Sequence, residues 1–298
     1  VFMTRYAAAE AGGEGARGRA LGLVFFATAV GAVVSPALLG PSGGLASAIG
    51  LPPLAGLYVV AIACFTLAAL LLACVSSPAV PYLGRGADLL GPAPGRRPAR
   101  GELASGLKAP TARLAVAILA ATNLVIVAVM AIAPVHLVAH GHHLGLVGIV
   151  VGAHVAGMFA PSPVSGWAAD RFGPTAVAGG GFLLILFSGV AGLLLDVGGA
   201  LQMTAVLLAL GVGWNLGVVG GSTMLAGSIP EKLRPRVEGF GEVAMGLAAG
   251  TGAPIAGLIV ALGGYAALSL AGTAVASTAI LALVASARRA ADRPGPPP

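Results

Sequence analysis

Gly166-Trp167-Ala168-Ala169-Asp170-Arg171-Phe172-Gly173 is a short charged turn set between two long apolar runs, 144–167 and 174–195. Each run is near the ~20 residues a membrane-spanning helix needs. Neither shows the ~10-residue alternation of barrel strands. A helix satisfies its own backbone polar groups in hydrocarbon, so these runs read as spanning helices joined by a tight turn.

Working outward, further apolar runs lie at 20–41, 54–77, 114–138, 203–228, 239–262 and 264–286, which makes eight. Composition agrees. Charged residues are 9% of the 298 and hydrophobic ones 57%, with a mean hydropathy of +0.97. A water-soluble domain carries about 25% charge, so this chain could not cover its surface for water. The expected fold is all-α and polytopic.

The net charge of +6 could suggest a nucleic-acid partner. Its placement excludes one. Taken in order, the segments between the runs hold 3, 0, 6, 0, 1, 0, 3, 0 and 3 basic residues, which accounts for all 16. Such alternation is a topology signal, with basic loops on the cytoplasmic side. Both ends are therefore expected in the cytoplasm, in a multi-pass protein of the inner (plasma) membrane. Cys64 and Cys74 share one run; ten residues of helix separate them by ~15 Å, too far for a disulfide.

The stretch 78–112 is the one long polar connection. It is rich in Pro, Gly and Arg, as in Gly91-Pro92-Ala93-Pro94-Gly95-Arg96-Arg97-Pro98. That composition reads as a flexible linker. Two runs precede it and six follow. The chain opens on Val1-Phe2-Met3, and four earlier spans are expected if the whole is two equal bundles. A weak internal repeat points the same way: Arg17-Gly18-Arg19-Ala20-Leu21-Gly22 opens the first run and Arg234-Pro235-Arg236-Val237-Glu238-Gly239 the seventh. Both read R-x-R-x-x-G, and Pro36 and Pro254 lie further along the same two runs.

The turn at 166–173, read as G-x-x-x-D-R-x-G, resembles the cytoplasmic-loop signature of the major facilitator superfamily. The resemblance extends over the chain: a linker, six spans after it, and this loop following the second of them. It implies that residues 1–77 are the remainder of an N-terminal bundle, 78–112 a cytoplasmic linker, 113–286 a complete C-terminal bundle and 287–298 a cytoplasmic tail. It also implies that Asp170, with Gly166, Arg171 and Gly173, latches onto the start of the first span near Arg19 and Ala20. An anion is favoured there by free amides and the helix dipole.

Gly22, Gly31, Ser35-Pro36 and Gly40 resemble the antiporter motif G-x8-G-x3-G-P-x2-G-G of the drug–proton exchange branch. Ser35 and Leu39 depart from it. The implied activity is proton-coupled efflux of a small organic or amphiphilic compound by alternating access. Import of a nutrient is the alternative that the two departures leave open.

The polar residues at depth are few. His154 lies ten residues into its run and is the one ionisable side chain at mid-depth in any run; such a group is by default a functional candidate. Thr122 and Asn123 lie mid-run, as do Trp214 and Asn215 in Gly211-Val212-Gly213-Trp214-Asn215-Leu216-Gly217. With His154 these form the expected substrate cavity, mostly apolar with a few polar groups. The remaining histidines, His136, His140, His142 and His143, crowd the outer end of the third run. A metal-binding or sensor role for them is a remote alternative, since no Cys, Asp or Glu lies near in sequence. Glu238 and Glu242 open the seventh run, where acids complement a helix N-terminus. No Walker A or H-E-x-x-H motif occurs. The expectation is a carrier, not an enzyme, monomeric, with a small-molecule substrate, the proton as coupling ion, the bilayer as solvent, and neither cofactor nor metal.

Overall fold

The computed structural model describes residues 8–9, 15–37, 39–52, 55–75, 101–195 and 197–291. They form α1 (Arg17–Ala37), α2 (Leu39–Ala48), α3 (Gly56–Val75), α4 (Gly101–Gly106), α5 (Pro110–Ala139), α6 (Leu144–Phe159), α7 (Ser162–Phe172), α8 (Pro174–Leu194), α9 (Ala200–Ser228), a 3-10 turn (Glu231–Leu233) and α10 (Arg234–Ala291). No strand occurs among the described residues. Five helical stretches there are long and apolar enough to cross a membrane: Pro110–Ala139, Leu146–Phe172, Pro174–Leu194, Ala200–Ser228 and Arg234–Arg289. This is an all-α, multi-pass membrane protein.

Helix ends depart from the apolar runs for physical reasons. Hydropathy sees only the part of a helix in hydrocarbon, so α5, α9 and α10 begin three to five residues before their runs do. The connection expected over 42–53 is helical as far as Ala48. Pro41 falls in the first turn of α2, where its missing N–H costs no hydrogen bond. Of the linker expected over 78–112, residues 78–100 lie outside the described residues, and 101–112 hold α4 and the start of α5. The run 144–167 is broken at Ala160–Pro161 into α6 and α7, because Pro161 and Pro163 cannot donate to the carbonyls one turn back. The seventh and eighth runs form one element, α10, interrupted by non-helical backbone at Gly263 and Gly264. Gly264 has φ +67°, which an L side chain rarely adopts.

The chain divides into two units, residues 30–100 and residues 1–29 with 101–298. In the smaller, α2 packs on α3, where a Cβ on Gly56 would collide with the Ser42 carbonyl. Tyr58, Ile62, Phe65 and Leu70 of α3 are exposed, as lipid-facing side chains are. Cys64 and Cys74 are exposed and free.

The larger unit is built around α9. It contacts α5, α6, α7 and α8, while α10 packs on α5 and α8. Close approach comes from small residues, as expected of helices associating in lipid. A Cβ on Gly181 of α8 would lie 2.6 Å from Gly217 N and 2.7 Å from Gly213 O of α9. One on Gly157 of α6 would lie 2.9 Å from Leu208 O. Leu119, Phe182, Leu207, Leu210 and Met203 fill the core between the glycines.

Candidate functional site

Asp170 ends a face of α7 on which Ser162, Gly166 and Asp170 recur every fourth residue. Facing it, α1 carries Gly18 and Gly22 at the same spacing. The two backbones touch. A Cβ on Gly18 would collide with Gly166 O, one on Gly166 with Gly18 O, and one on Gly22 with Ser162 O. That approach brings the Asp170 carboxylate to the open end of α1. Gly18 N–H donates to Oδ1 at 2.7 Å and Arg19 N–H to Oδ2 at 2.9 Å. Arg19 Nε lies 3.5 Å from Oδ2, with the arginine 59% and the aspartate 10% exposed. Two free amides, a helix dipole and a guanidinium thus converge on one anion. Arg171 is exposed beside it. Gly173 ends α7 at φ +91°, and Pro174 starts α8 with its φ already helical.

Further along α1, Phe25 packs edge-on against Trp214 (6.1 Å between centroids) and tilted against Phe159 (6.3 Å), which itself meets Trp214 at 5.7 Å. Of the antiporter-like positions, Gly22 belongs to the α7 contact and Gly31 has open space where a Cβ would point. Pro36 lies in the last turn of α1 and Gly40 in the first of α2. The repeat R-x-R-x-x-G has unlike surroundings at its two copies: Gly22 is packed, whereas Gly239 faces open space.

The five polar residues expected to line a cavity are engaged between helices in this conformation. Asn215 on α9 is 1% exposed. Its Nδ2 donates to Met158 O (2.7 Å) and Ser162 Oγ (2.6 Å), and its Oδ1 accepts from Ser165 Oγ (2.5 Å). It therefore pins the break between α6 and α7. Ser165 and Ser162 were not legible as its partners; serines flanking paired prolines are the signal that could have found them. Thr122 is buried, bonds back to Ile118 O (2.7 Å) and packs where Gly217 leaves room. Asn123 is half-buried and bridges two helices: it donates to Met245 O and accepts from Trp214 Nε1, both at 3.1 Å. His154 is 1% exposed, and its Nδ1 lies 2.6 Å from the Leu207 carbonyl. A carbonyl only accepts, so Nδ1 carries the hydrogen, and in the neutral ring Nε2 keeps its lone pair. Nε2 is buried with no hydrogen-bond partner.

Of the remaining histidines, three have ring nitrogens engaged by backbone. His140 Nδ1 meets His136 O, His142 Nε2 meets Gly198 O, and His143 caps α6 by accepting from Leu146 N–H. His136 stacks between His140 and Tyr265, at 4.2 and 4.7 Å. Among the described residues no three His, Cys, Asp or Glu side chains gather where a metal could bind. Glu238 is buried near the start of α10.

Residues 114–298 match the family model of the Major Facilitator Superfamily, and the chain belongs to that superfamily. It is 32% identical over 274 residues to the uncharacterised MFS-type transporter YdeG of Bacillus subtilis (strain 168), over 91% of this chain and 63% of that protein. A second such transporter from the same organism, YddS, is 31% identical over 293 residues, covering 95% of this chain and 65% of its own length. The chain thus spans just under two-thirds of these relatives. The riboflavin transporter RfnT of Brucella anthropi is 32% identical over 140 residues, 47% of this chain and 34% of RfnT.

Proposed function

We propose that this chain is the greater part of a secondary active transporter of the plasma membrane that exports a small organic or amphiphilic compound in exchange for protons. Its eight spans would be the last two of an N-terminal bundle and a whole C-terminal bundle, joined through a cytoplasmic linker over 78–112, with both ends in the cytoplasm. The protein would work as a monomer by alternating access.

The observation that carries this reading is the double clamp of Asp170 on the first turn of α1. α1 belongs to the bundle before the linker and α7 to the bundle after it. A carboxylate and a glycine face hold them together at one end, and Phe25 carries the contact on to Trp214 and Phe159. When the bundles rock, the contact parts as a unit and the site opens to that side. Arg171 and Gly173 shape the turn that presents the carboxylate.

His154 is the candidate for the proton or for a substrate donor, because its lone pair is buried and unmatched. Asn123 and Trp214, on two helices near mid-depth, are the candidates for orienting substrate. Thr122 and Asn215 set the spacing of the helices around it.

Similarity to a riboflavin transporter over 47% of the chain favours a second reading, uptake of a flavin-like nutrient. Reconstituting the full-length protein in liposomes with a pH dye inside, and adding solutes that include riboflavin, separates the two. Exchange moves protons against the added solute, co-transport moves them with it. Solute counterflow without any proton movement would dispose of proton coupling in either direction.

A further inference from the structure

A groove of about 350 Å³ opens between α5 and the second arm of α10. Its walls are Leu114 and Ile118 on α5 and Val275 on α10; its hollow comes from Ala117, Ala121 and Ala282, too short to fill the space. Thr278 adds no polarity, because its hydroxyl donates to Ala274 O within the helix (2.8 Å). The groove runs about 10 Å along α5, from Leu114 to Ala121. Both helices reach polar ends at the same side of it: α5 begins at Pro110 and α10 ends at Ala291.

Those ends carry the second observation. Arg113 continues the ridge Ala117–Ala121 in steps of four. Arg289 continues Val275–Thr278–Ala282–Ala285 in steps of three and four. Both arginines therefore lie on the groove's side of their helices, Arg113 next to its end and Arg289 about 10 Å beyond Ala282, and both are exposed. Lys108 is exposed just before α5. Among the described residues no carboxylate pairs with Arg113 or Arg289. Arg289 uses only Nε, on Ala285 O at 3.2 Å.

We infer that this groove holds one acyl chain of an anionic phospholipid whose phosphate sits between Arg113 and Arg289. An apolar slot with two arginines that have no carboxylate partner beyond one end matches both halves of such a lipid. Arginine binds phosphate in a fixed fork and its stem lies along apolar surface. A zwitterionic lipid would bring its own cation to the same place and lose the advantage. The inference rests on the packing of α5 against α10 and is independent of the direction of transport.

The test is photo-crosslinking of the full-length protein in nanodiscs of phosphatidylcholine doped with a photoactivatable phosphatidylglycerol, followed by peptide mapping. Labelling is expected on 113–121 and 274–289, competed by unlabelled phosphatidylglycerol and not by added phosphatidylcholine. Arg113→Gln and Arg289→Gln should each weaken retention about fivefold. Arg288→Gln removes the same charge about 100° around the helix and should leave it nearly unchanged. Ala282→Leu, on the lipid-facing surface, should block labelling in folded protein. Equal labelling by phosphatidylcholine, equal loss in Arg288→Gln, or full labelling in Ala282→Leu would overturn the inference. So would a second copy of the chain, crosslinked at the groove in place of lipid.

Discussion

Replacing Asp170 by Asn removes a charge while changing almost no volume. The carboxylate accepts from Gly18 N–H at 2.7 Å and from Arg19 N–H at 2.9 Å. An amide keeps one acceptor and turns an N–H₂ toward the other backbone donor. One charge-assisted bond is lost, worth about 1.5–3 kcal/mol. The dipole of α1 loses its anion, a further ~0.3–1 kcal/mol. The Arg19 pair adds little, since the arginine is 59% exposed and its contact is long. A net cost of about 2–3 kcal/mol shifts the latched-to-unlatched ratio by about 30- to 150-fold. Ala226 lies buried with Leu21 of α1, so a cysteine there reports whether α1 is seated. In full-length protein with Cys64 and Cys74 replaced by Ser, the labelling rate of Ala226→Cys should rise by a similar factor when Asp170→Asn is added, and transport should fall while membrane insertion stays intact. Unchanged labelling together with unchanged transport would refute the latch.

Gly166→Val should separate α1 from α7, since even a Cβ there meets Gly18 backbone; overpacking of this kind costs about 1–3 kcal/mol, and Ala226→Cys should label as fast as in Asp170→Asn. Asn215→Leu leaves Met158 O, Ser162 and Ser165 without their shared partner; thermal unfolding in detergent should show a stability loss of ~1–3 kcal/mol, with α7 exchanging amide hydrogens sooner than α8. His154→Gln can keep a donor to Leu207 O and removes the titratable ring; counterflow should persist while accumulation driven by a pH gradient is lost. If gradient-driven accumulation also persists, His154 does not carry the proton.

Much of the architecture was legible because lipid imposes a coarse rule. A run of ~20 apolar residues must be helical there, and basic residues mark its ends, so α5, α8 and α9 could be placed from the sequence. Helix ends outside the hydrocarbon were not, because nothing in hydropathy registers Arg113 or Arg288 as helical. The approach of Asp170 to the start of α1 was implied only by the resemblance of its turn to the superfamily's loop signature; chemistry alone says that an anion seeks free amides, not which helix offers them. The engagements of Asn215, Asn123 and Trp214 could not be anticipated. Which side chain meets Asn215 depends on the rotation of α7 about its axis, and that rotation is set by the glycines where α7 crosses α1. Thr122 illustrates the same limit: a hydroxyl at mid-depth looks like a ligand group until Gly217 is seen to make room for it.

Where α1 crosses α7 there is no cushion. Side chains ordinarily let two helices slide, tilt and re-mesh by degrees, but carbonyl oxygens and α-carbons in direct apposition have nothing to re-mesh. A displacement of about one ångström forfeits about a quarter to a half of the dispersion energy of the crossing and breaks both amide bonds. Partial separation is therefore unfavourable, and α1 and α7 should be found either fully joined there or fully parted. Tuning how quickly they part falls to whatever surrounds the Asp170 carboxylate, because the glycines admit no substitution that leaves the crossing intact.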